Sequence, residues 1–235
     1  MRCPIIITGA GRRAGRALCD ALLAAGHEVL AVYRSDDGGL LQLEHPNLYP
    51  FQADIALESE RCRLIDFAAK AREGLRGIIH NASLWLDDSP GHLSQMLQVH
   101  VEAPFHLNQA LTPQLARSGR ADIIHICDDT ASRGTQNHVG YAASKAALLN
   151  LTLSFAEKLG PEIRVNAISP GLLQLKDDHT QSYQEKTLKK ALLQFEPGNA
   201  PLIEAVHYLL GASYSTGSNI VINGGRHLRR PAARE

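Results

Sequence analysis

The sequence carries no net charge and few aromatic side chains. Its 24 basic and 24 acidic residues balance, and only 5% of the 235 residues are Phe, Trp or Tyr. A neutral chain lacks the excess of Lys and Arg that drives binding to nucleic-acid phosphates. The sequence therefore predicts no nucleic-acid partner.

Long apolar runs and paired cysteines are also missing. No stretch reaches the roughly 18 apolar residues of a membrane span, and the start, MRCPIIITGAG, predicts no secretory signal. The four cysteines form no C-x-x-C pair, and no two histidines have convincing metal-site spacing. We therefore expect a cytoplasmic protein with free thiols, no membrane partner and no metal.

What the chain does have is a regular alternation of apolar strands and helices. Continuous apolar strands separated by helices predict an α/β fold, in which helices cover both faces of a parallel sheet. The predicted strands are residues 5–7, 29–33, 48–53, 75–80, 123–127, 163–168 and 219–222. The predicted helices are residues 14–25 with Gly26 as the C-cap, then 57–73, 139–159, 181–195 and 200–211. No linker interrupts the pattern, so residues 1–235 are predicted to form one domain.

The first turn, TGAGRRAG at residues 8–15, follows a strand and opens a helix. Small residues let a backbone approach a pyrophosphate, and a helix N-terminus offers free N–H groups. A plain strand-to-helix turn is the alternative, but the flanking strand and helix favour a dinucleotide. We predict that Gly9, Gly11, Arg12, Arg13 and Ala14 bind the cofactor.

The end of the second strand indicates which dinucleotide is bound. An acidic residue there selects NAD, whereas this strand ends in Arg34 and Ser35. A guanidinium and a hydroxyl suit a 2′-phosphate, and Arg12 offers a second cation. The sequence therefore predicts NADPH. Asp36 and Asp37 keep NADH open, and a plain surface charge is the other interpretation of Arg34.

Several further short segments follow the predicted strands in a fixed order along the chain. They are Asp54 after the third strand, His80-Asn81-Ala82 after the fourth, Tyr141-x-x-x-Lys145, Asn166 to Gly171, and Gly224-Gly225. With the first turn they resemble the short-chain dehydrogenase/reductase family over nearly the whole chain. The resemblance implies a single-domain Rossmann-type sheet of about seven parallel strands in the order 3-2-1-4-5-6-7. It also implies a homotetramer built through the long helices and the C-terminal strand.

The resemblance extends the set of residues expected to contact the cofactor. Beyond the first turn, Arg34 and Ser35, these residues are Asp54, Ile55, Asn81, Ala82, Tyr141, Lys145, Pro170, Gly171 and Leu172. In the family, the lysine of the Tyr-x-x-x-Lys pair also holds the nicotinamide ribose.

At four positions the sequence departs from the common family pattern, and these departures indicate a particular branch of the family. Arg13 stands where most members have glycine, Asp128 where they have serine, Ser83 where glycine is frequent, and His100 where asparagine is usual. With Arg-Ser after the second strand, the first three resemble the pteridine reductase branch. That implies NADPH-dependent reduction of 7,8-dihydropterins, with dihydromonapterin as the expected substrate and dihydrofolate as a weaker one.

The same branch implies a catalytic trio of Asp128, Tyr141 and Lys145. Lys145 lies at i+4 from Tyr141, and its charge is expected to lower the phenol pKa from about 10 and so tune a proton donor. We expect Asp128 to orient Tyr141 and relay a proton to N5 of the pterin while hydride reaches C6. In the alternative, Asp128 merely caps its loop, with Asp129 as a solvated neighbour.

The substrate is expected to contact Arg13, Ser83, Trp85, Asp128 and Tyr141. The resemblance implies that Trp85, the only tryptophan, stacks the pterin against the nicotinamide; packing under a loop is the alternative. Arg13 is expected to reach both the cofactor phosphates and the pterin carbonyl, and Ser83 the pterin or the phosphates. The role of His100, which can both donate and accept a hydrogen bond, stays open.

Residues 172–195 are expected to form a lid over the substrate. The polar cluster within it, residues 176–179, is interpreted as solvated, and the basic tail, residues 226–235, as solvated or subunit-facing. Two other functions remain open, since fold alone does not decide function. One is an ordinary carbonyl reductase, against which Asp128 and Arg13 argue; the other is a non-catalytic dinucleotide sensor, against which the Tyr141–Lys145 pair argues.

Overall fold

A computed structural model describes residues 1–175 and 180–228, and its centre is one sheet of seven parallel strands. The strands lie in the order β3-β2-β1-β4-β5-β6-β7, and every neighbouring pair is parallel. They are β1 (Ile5–Thr8), β2 (Val29–Tyr33), β3 (Leu48–Gln52), β4 (Gly77–His80), β5 (Ala121–Ile126), β6 (Ile163–Pro170) and β7 (Asn219–Ile222). The predicted strand order and the α/β class are confirmed.

The central strands are apolar because helices cover them on both sides. Every residue of β1, β2 and β5 is buried. Successive side chains of a strand point to opposite faces, so Ile6 joins one core cluster while Ile5 and Ile7 join another. The sheet is therefore the middle layer of three.

The helices are α1 (Arg13–Ala24), α2 (Glu58–Ala68), α3 (His92–Leu97), α4 (Ala103–Arg117), α5 (Thr130–Arg133), α6 (Val139–Leu159), α7 (Gln181–Leu188) and α8 (Ala200–Gly211). Helices α6 and α8 begin and end where the sequence predicts. Helix α1 ends one residue early, and Gly26 follows its cap with φ at +84°. The amides of Gly26 and His27 bond back to the carbonyls of Leu23 and Leu22, so the glycine serves the helix end as predicted.

Two predicted helices are too long. Helix α2 stops at Ala68 rather than at residue 73, because the following amides of Arg72 and Glu73 bond to the N-terminal segment instead. Helix α7 stops at Leu188 rather than at residue 195, because the Leu193 amide bonds to the Gly224 carbonyl. In both places a tertiary partner replaces the next helical hydrogen bond.

Helices α3 and α4 are absent from the prediction. The i, i+4 spacing of Leu107, Leu111 and Leu115, all buried, was the available signal. Pro104 in the first turn and Pro113 in the interior of α4 obscure it, since proline normally interrupts a helix. Packing of the leucines against the sheet outweighs the proline.

Some predictions fall outside the part of the chain that the structure describes. They concern the polar cluster 176–179 and the tail beyond residue 228. Within the described ranges, no helix is long and apolar enough to cross a membrane. Cys3, Cys19, Cys62 and Cys127 are free thiols.

Strand β1 lies between β2 and β4, so the chain reverses its direction of winding there. Thr8, the last residue of β1, pairs with His80, the last residue of β4. In parallel sheets, ligands bind at the carboxyl ends of strands beside such a switch point. The first turn and the Asn81 segment therefore meet where a ligand site is expected.

Candidate active site

The first turn and the segment after β4 are packed too closely for side chains at two glycines. A Cβ on Gly9 would lie 2.7 Å from the Cα of Ala82, and one on Gly15 would collide with the Gly9 carbonyl oxygen. The Asn81 side-chain amide donates to the carbonyls of Thr8 and Gly9, each at 3.1 Å. Asn81 and Ala82 thus fix one side of the first turn, and the other side of the turn faces the crevice at the carboxyl ends of the strands.

Gly11 was predicted to contact the pyrophosphate, and in the structure it also packs against the loop after β2. A Cβ on this residue would collide with the carbonyl oxygen of Ser35. Its own carbonyl accepts from the Gly38 amide at 2.9 Å. Gly11 therefore joins the first turn to the loop after β2, which brings the two predicted phosphate-binding segments together.

The residues at this edge fit a phosphorylated dinucleotide. No side chain caps the N-terminus of α1, so its first amides remain free to bind an anion. Arg12 and Arg34 are both exposed at the mouth, with side-chain exposures of 61% and 62%. Two exposed cations beside an uncapped helix end match the charge of a pyrophosphate and a 2′-phosphate.

The acidic residues after β2 divide their tasks. Asp36 accepts from the backbone amides of Leu40 and Leu41, so its carboxylate caps a short turn. Asp37 accepts from Arg12 at 3.1 Å and from the Ser35 hydroxyl at 3.2 Å. A 2′-phosphate at this position competes with Asp37 for the same donors, whereas Arg34 is held only by Asp54 at 3.8 Å.

The other predicted cofactor residues lie along the same edge. Asp54 and Ile55 follow β3, and the Asp54 carboxylate accepts from the Ala56 amide at 3.0 Å. Gly171 and Leu172 follow Pro170 at the end of β6, where a Cβ on Gly171 would lie 2.8 Å from the Cβ of Asn223. The structure therefore brings every predicted segment to the carboxyl ends of the strands.

The predicted catalytic trio is assembled by β5 and α6. Asp128 follows β5, and the first turns of α6 carry Tyr141 and Lys145. The Tyr141 hydroxyl donates to Asp128 Oδ2 at 3.3 Å. The Lys145 ammonium is 1% exposed and donates to the Ile126 carbonyl at 2.9 Å, which places its Nζ 5.9 Å from the Tyr141 ring centroid.

The expected lowering of the Tyr141 pKa by Lys145 is wrong. Burial raises the pKa of Tyr141 well above its ordinary value, and the neighbouring Asp128 carboxylate raises it further. Burial also lowers the pKa of Lys145. Tyr141 is therefore a neutral phenol at physiological pH and holds a proton that it can donate.

The two oxygens of Asp128 have different partners, one in its own loop and one on Tyr141. Its Oδ1 accepts from the amide and the hydroxyl of Thr130 at 2.8 and 2.7 Å, which caps the loop. Its Oδ2 accepts from Tyr141. Burial raises the pKa of Asp128, although the two hydrogen bonds from Thr130 oppose this rise.

Asp129 is not the solvated neighbour that the sequence suggested. It is 4% exposed and forms ion pairs with Arg133 at 3.0 Å and with Arg226 at 3.7 Å. Its backbone amide donates to the Pro170 carbonyl at 2.9 Å. A buried carboxylate needs such partners, and here they tie the loop after β5 to β6 and to the C-terminal segment.

Trp85 packs directly on Tyr141. Its ring centroid lies 4.4 Å from that of Tyr141 and 4.3 Å from that of His138, and 56% of the residue is exposed. His138 bonds through Nδ1 to the Leu86 carbonyl at 2.9 Å. The tryptophan therefore forms part of the wall above Tyr141, with one side open to solvent.

Sequence reasoning missed three residues that shape this wall. His138 stacks on Trp85, Ser144 accepts from His100, and Asp88 accepts from the amides of Val139 and Gly140 at the start of α6. Asp88 lies about fifty residues before the helix that it caps. No local pattern reveals such a cap, because the usual capping residue directly precedes its helix.

The remaining predicted substrate residues differ in how firmly they are held. Ser83 Oγ lies 3.1 Å from His100 Nε2, while Arg13 is exposed at the start of α1. Arg13 has φ at +48°, a left-handed conformation that costs a non-glycine residue free energy. An apolar cavity between α7, α8 and the end of β7 is lined by Leu172, Leu188 and Phe195, within the predicted lid.

A series of hydrogen-bonded polar side chains crosses the core next to the site. His80 Nε2 bonds Asn108 at 2.8 Å, Asn108 bonds His125 at 3.2 Å, and His125 bonds Thr152 at 2.9 Å. Because the Thr152 hydroxyl donates to the Leu148 carbonyl, each link donates toward α6. Burial lowers the pKa of His80 to about 4 and that of His125 well below its usual range, so both rings are neutral.

Residues 4–187 match the family described as short chain dehydrogenase. The chain belongs to that family. A dihydromonapterin reductase of Enterobacter sp. (strain 638) is 41% identical over 232 residues, which cover 96% of this chain and 97% of that protein. The dihydromonapterin reductase of Escherichia coli (strain K12) is 40% identical over 233 residues, with the same coverage. The resemblance to the pteridine reductase branch is confirmed.

A solved structure shares both the fold and moderate sequence identity. FolM alternative dihydrofolate reductase 1 from Brucella suis, in complex with NADP, superposes with a TM-score of 0.88 at 28% identity. The match covers 98% of this chain and 97% of that chain. The Rossmann-type architecture predicted from the sequence is thus shared from end to end with a member of the family.

Replacement of Arg34 tests whether this residue binds the 2′-phosphate of NADPH. We expect Arg34→Ala to raise the Kd for NADPH by about 10- to 100-fold, the effect of losing a charge-assisted hydrogen bond. Affinity for NADH is expected to change less than about twofold, since the exposed Arg34–Asp54 pair contributes little. Fluorescence titration with both cofactors measures this. Arg117→Ala, an exposed arginine at the end of α4, is the control, and an equal loss for NADPH and NADH contradicts the assignment.

Acid is expected to destabilise the fold through its buried histidines. The pKa of His80 is lowered to about 4 and that of His100 to about 2, whereas an unfolded histidine titrates near 6.5. The unfolded chain therefore binds these protons first, so stability is full above pH 6.5 and falls as pH drops toward 4. Each such histidine contributes a slope of up to about 1.4 kcal/mol per pH unit.

Urea unfolding at intervals between pH 7 and pH 4 measures this slope. The variant His100→Asn lacks one of these groups, so its stability should fall less steeply than that of the wild type. Parallel curves for the two proteins would show that His100 does not take part.

Proposed function

We propose that this protein is an NADPH-dependent reductase of 7,8-dihydropterins, with dihydromonapterin as its preferred substrate and dihydrofolate as a weaker one. The observation that carries the proposal is the hydrogen bond from the buried Tyr141 phenol to the half-buried Asp128 carboxylate, at 3.3 Å. Two relatives at 40 and 41% identity are named dihydromonapterin reductase, and a solved relative named a dihydrofolate reductase is an NADP complex.

The aspartate suits the proton demand of an imine. Reduction of N5=C6 in a dihydropterin requires a hydride at C6 and a complete proton at N5. A serine hydroxyl at this position only passes on a hydrogen bond, whereas a carboxyl group with a raised pKa holds a proton at higher pH. Tyr141 donates its phenolic proton to N5, and Asp128, after it has taken up a proton from solvent, returns one to Tyr141.

NADPH, when bound, supplies the hydride that reaches C6. The first turn and the start of α1 bind its pyrophosphate, with Arg12, Arg34 and Ser35 around the 2′-phosphate. Lys145 is held at the end of β5 by the Ile126 carbonyl, where it binds the nicotinamide ribose. Its ammonium also offsets the negative charge that develops on Tyr141 as the proton leaves.

The substrate ring lies against the wall formed by Trp85 and Tyr141. The indole is 56% exposed, so its open side is available to stack on a flat heterocycle, worth about 0.5–1.5 kcal/mol beyond burial. Ser83 and the exposed Arg13 bond the polar edge of the pterin. The described part of the expected lid, which includes α7 and residues that line the apolar cavity, covers the substrate.

A carbonyl reductase is the second candidate, because the Tyr141–Lys145 pair also serves ketone reduction. A ketone also takes one proton, on its oxygen; a serine hydroxyl can hydrogen-bond to that oxygen, whereas an ionised carboxylate repels the negative charge that develops there. Asp128 therefore favours the pterin. A non-catalytic sensor has no need of a buried phenol held by a carboxylate.

The proposed function is tested by the decrease of NADPH absorbance with purified protein. Dihydromonapterin, dihydrobiopterin, dihydrofolate and a panel of ketones are offered in turn. We expect turnover of the dihydropterins, fastest with dihydromonapterin, and slow turnover of dihydrofolate. Turnover of ketones alone would establish the carbonyl reductase, and tight NADPH binding without turnover of any compound would favour the sensor.

Tyr141→Phe tests the proton donor in the same assay. We expect kcat to fall by at least about 100-fold, the usual contribution of a positioned acid, with NADPH affinity unchanged because the ring remains. Tyr214→Phe removes the hydroxyl of a fully exposed tyrosine and should leave kcat unaltered. Full activity of Tyr141→Phe would reject the assignment.

We also propose that the protein is a homotetramer. Large apolar side chains are exposed on the outer faces of α4 and α6, including Phe105 at 44% and Leu153 at 52%. A second pair of helices from another copy would cover them.

Light scattering should give about four times the chain mass of 25.6 kDa. Leu153→Arg should reduce that mass, whereas Leu41→Arg, an exposed leucine outside these helices, should not; a monomeric wild type would contradict the proposal.

A further inference from the structure

His100 connects two parts of the active site that no local sequence pattern joins. It lies in a π turn, Gln98–Glu102, between α3 and α4, and it is 1% exposed. Its ring stands edge-on to Tyr141, with centroids 5.6 Å apart and planes at 86°. One ring nitrogen faces the segment 83–88, here called the substrate loop, and the other faces α6.

The hydrogen bonds fix where the His100 proton lies. The backbone amide of Leu84 donates to Nε2 at 3.0 Å, so Nε2 must accept. On the other side, the Ser144 hydroxyl donates to the Tyr141 carbonyl at 2.7 Å. Ser144 Oγ therefore accepts from His100 Nδ1, 2.8 Å away. The ring has one tautomer, with its proton on Nδ1.

These contacts leave His100 little capacity to carry a proton. A proton relay through the ring requires Nε2 to gain and lose a proton. The Leu84 amide already donates its hydrogen to Nε2, and a backbone amide can only donate, so Nε2 is not available to take up a proton. Burial, reinforced by the charge of Lys145, lowers the pKa of His100 to about 2. The ring therefore remains neutral and static at physiological pH.

The substrate loop is fastened at alternate residues. The Leu84 amide bonds His100, the Leu86 carbonyl bonds His138, and the Asp88 carboxylate bonds the first amides of α6. Ser83 and Trp85 lie on either side of the Leu84 anchor. The Ser83 hydroxyl lies 3.1 Å from His100 Nε2, and the Trp85 ring lies 4.4 Å from the Tyr141 ring.

We propose that His100 is a positioning residue that clamps the substrate loop to the catalytic helix and so holds Ser83 and Trp85 in place for the pterin. It does not relay the proton that reaches the substrate. The pterin part of this inference rests on the proposed function, whereas the clamp itself rests on the contacts alone. Asparagine, the usual residue here in the family, has a shorter side chain and cannot span from Leu84 to Ser144 in the same way.

The variant His100→Asn tests the clamp, with His207→Asn as the matched control on the exposed side of α8. We expect KM for dihydropterin to rise about tenfold, the effect of losing one or two buried hydrogen bonds at a binding surface. The pH profile of kcat and the affinity for NADPH should stay unchanged. The emission of Trp85, the only tryptophan, should shift to the red and become easier to quench with acrylamide.

Other results would overturn the proposal. A fall in kcat with KM unchanged, together with a shifted pH profile, would make His100 a proton relay. Unchanged KM and unchanged Trp85 quenching would show that the clamp has no effect. Both properties should be unaffected in His207→Asn.

A second variant covers the case in which His100→Asn does not fold. Ser144→Ala removes the acceptor of the His100 Nδ1 proton and leaves the ring in place, and it is expected to increase Trp85 quenching in the same direction. The quenching is measured without substrate. A protein that proves inactive toward dihydropterins therefore still tests the clamp, and failure of the clamp is distinguished from failure of the proposed function.

Discussion

The burial of the Lys145 ammonium is the constraint on which the active site depends. A charged group that is 1% exposed is stable only beside strong acceptors and negative charge. The Ile126 carbonyl supplies the acceptor, and Asp128 offers a nearby carboxylate. These contacts fix α6 against the end of β5, so the positions of Tyr141 and Ser144 follow from the position of the lysine.

From that fixed helix, two side chains determine the surroundings of the phenol. Asp128 accepts from Tyr141 on one side, and His100 accepts from the substrate loop while donating to Ser144 on the other. The low polarity that keeps Tyr141 protonated also keeps His100 neutral. In the proposed mechanism, Tyr141 and Asp128 therefore transfer the proton, and His100 positions the substrate loop. One buried environment thus accounts for both roles.

The fold was largely predictable because it depends on local patterns. Apolar strands, an alanine- and leucine-rich α6 and the glycine after α1 each carry their signal within a few residues. The ends of α2 and α7 were not predictable, since the Gly224 carbonyl and the N-terminal segment interrupt them from far away in the chain. Helix α4 was missed because Pro113 gives a local signal against a helix, while the packing of Leu107 and Leu111 decides in its favour.

The sequence by itself determined the family, the order of the strands, and the residues that meet at their carboxyl ends, because each belongs to a short motif attached to a particular strand. Only the tertiary structure decided the protonation of those residues and their unexpected partners. Burial reversed the expected pKa shift of Tyr141, and Arg226, nearly a hundred residues away, forms an ion pair with Asp129. Charge and proton position depend on solvent exclusion and on neighbours brought close by folding, and no local motif records either.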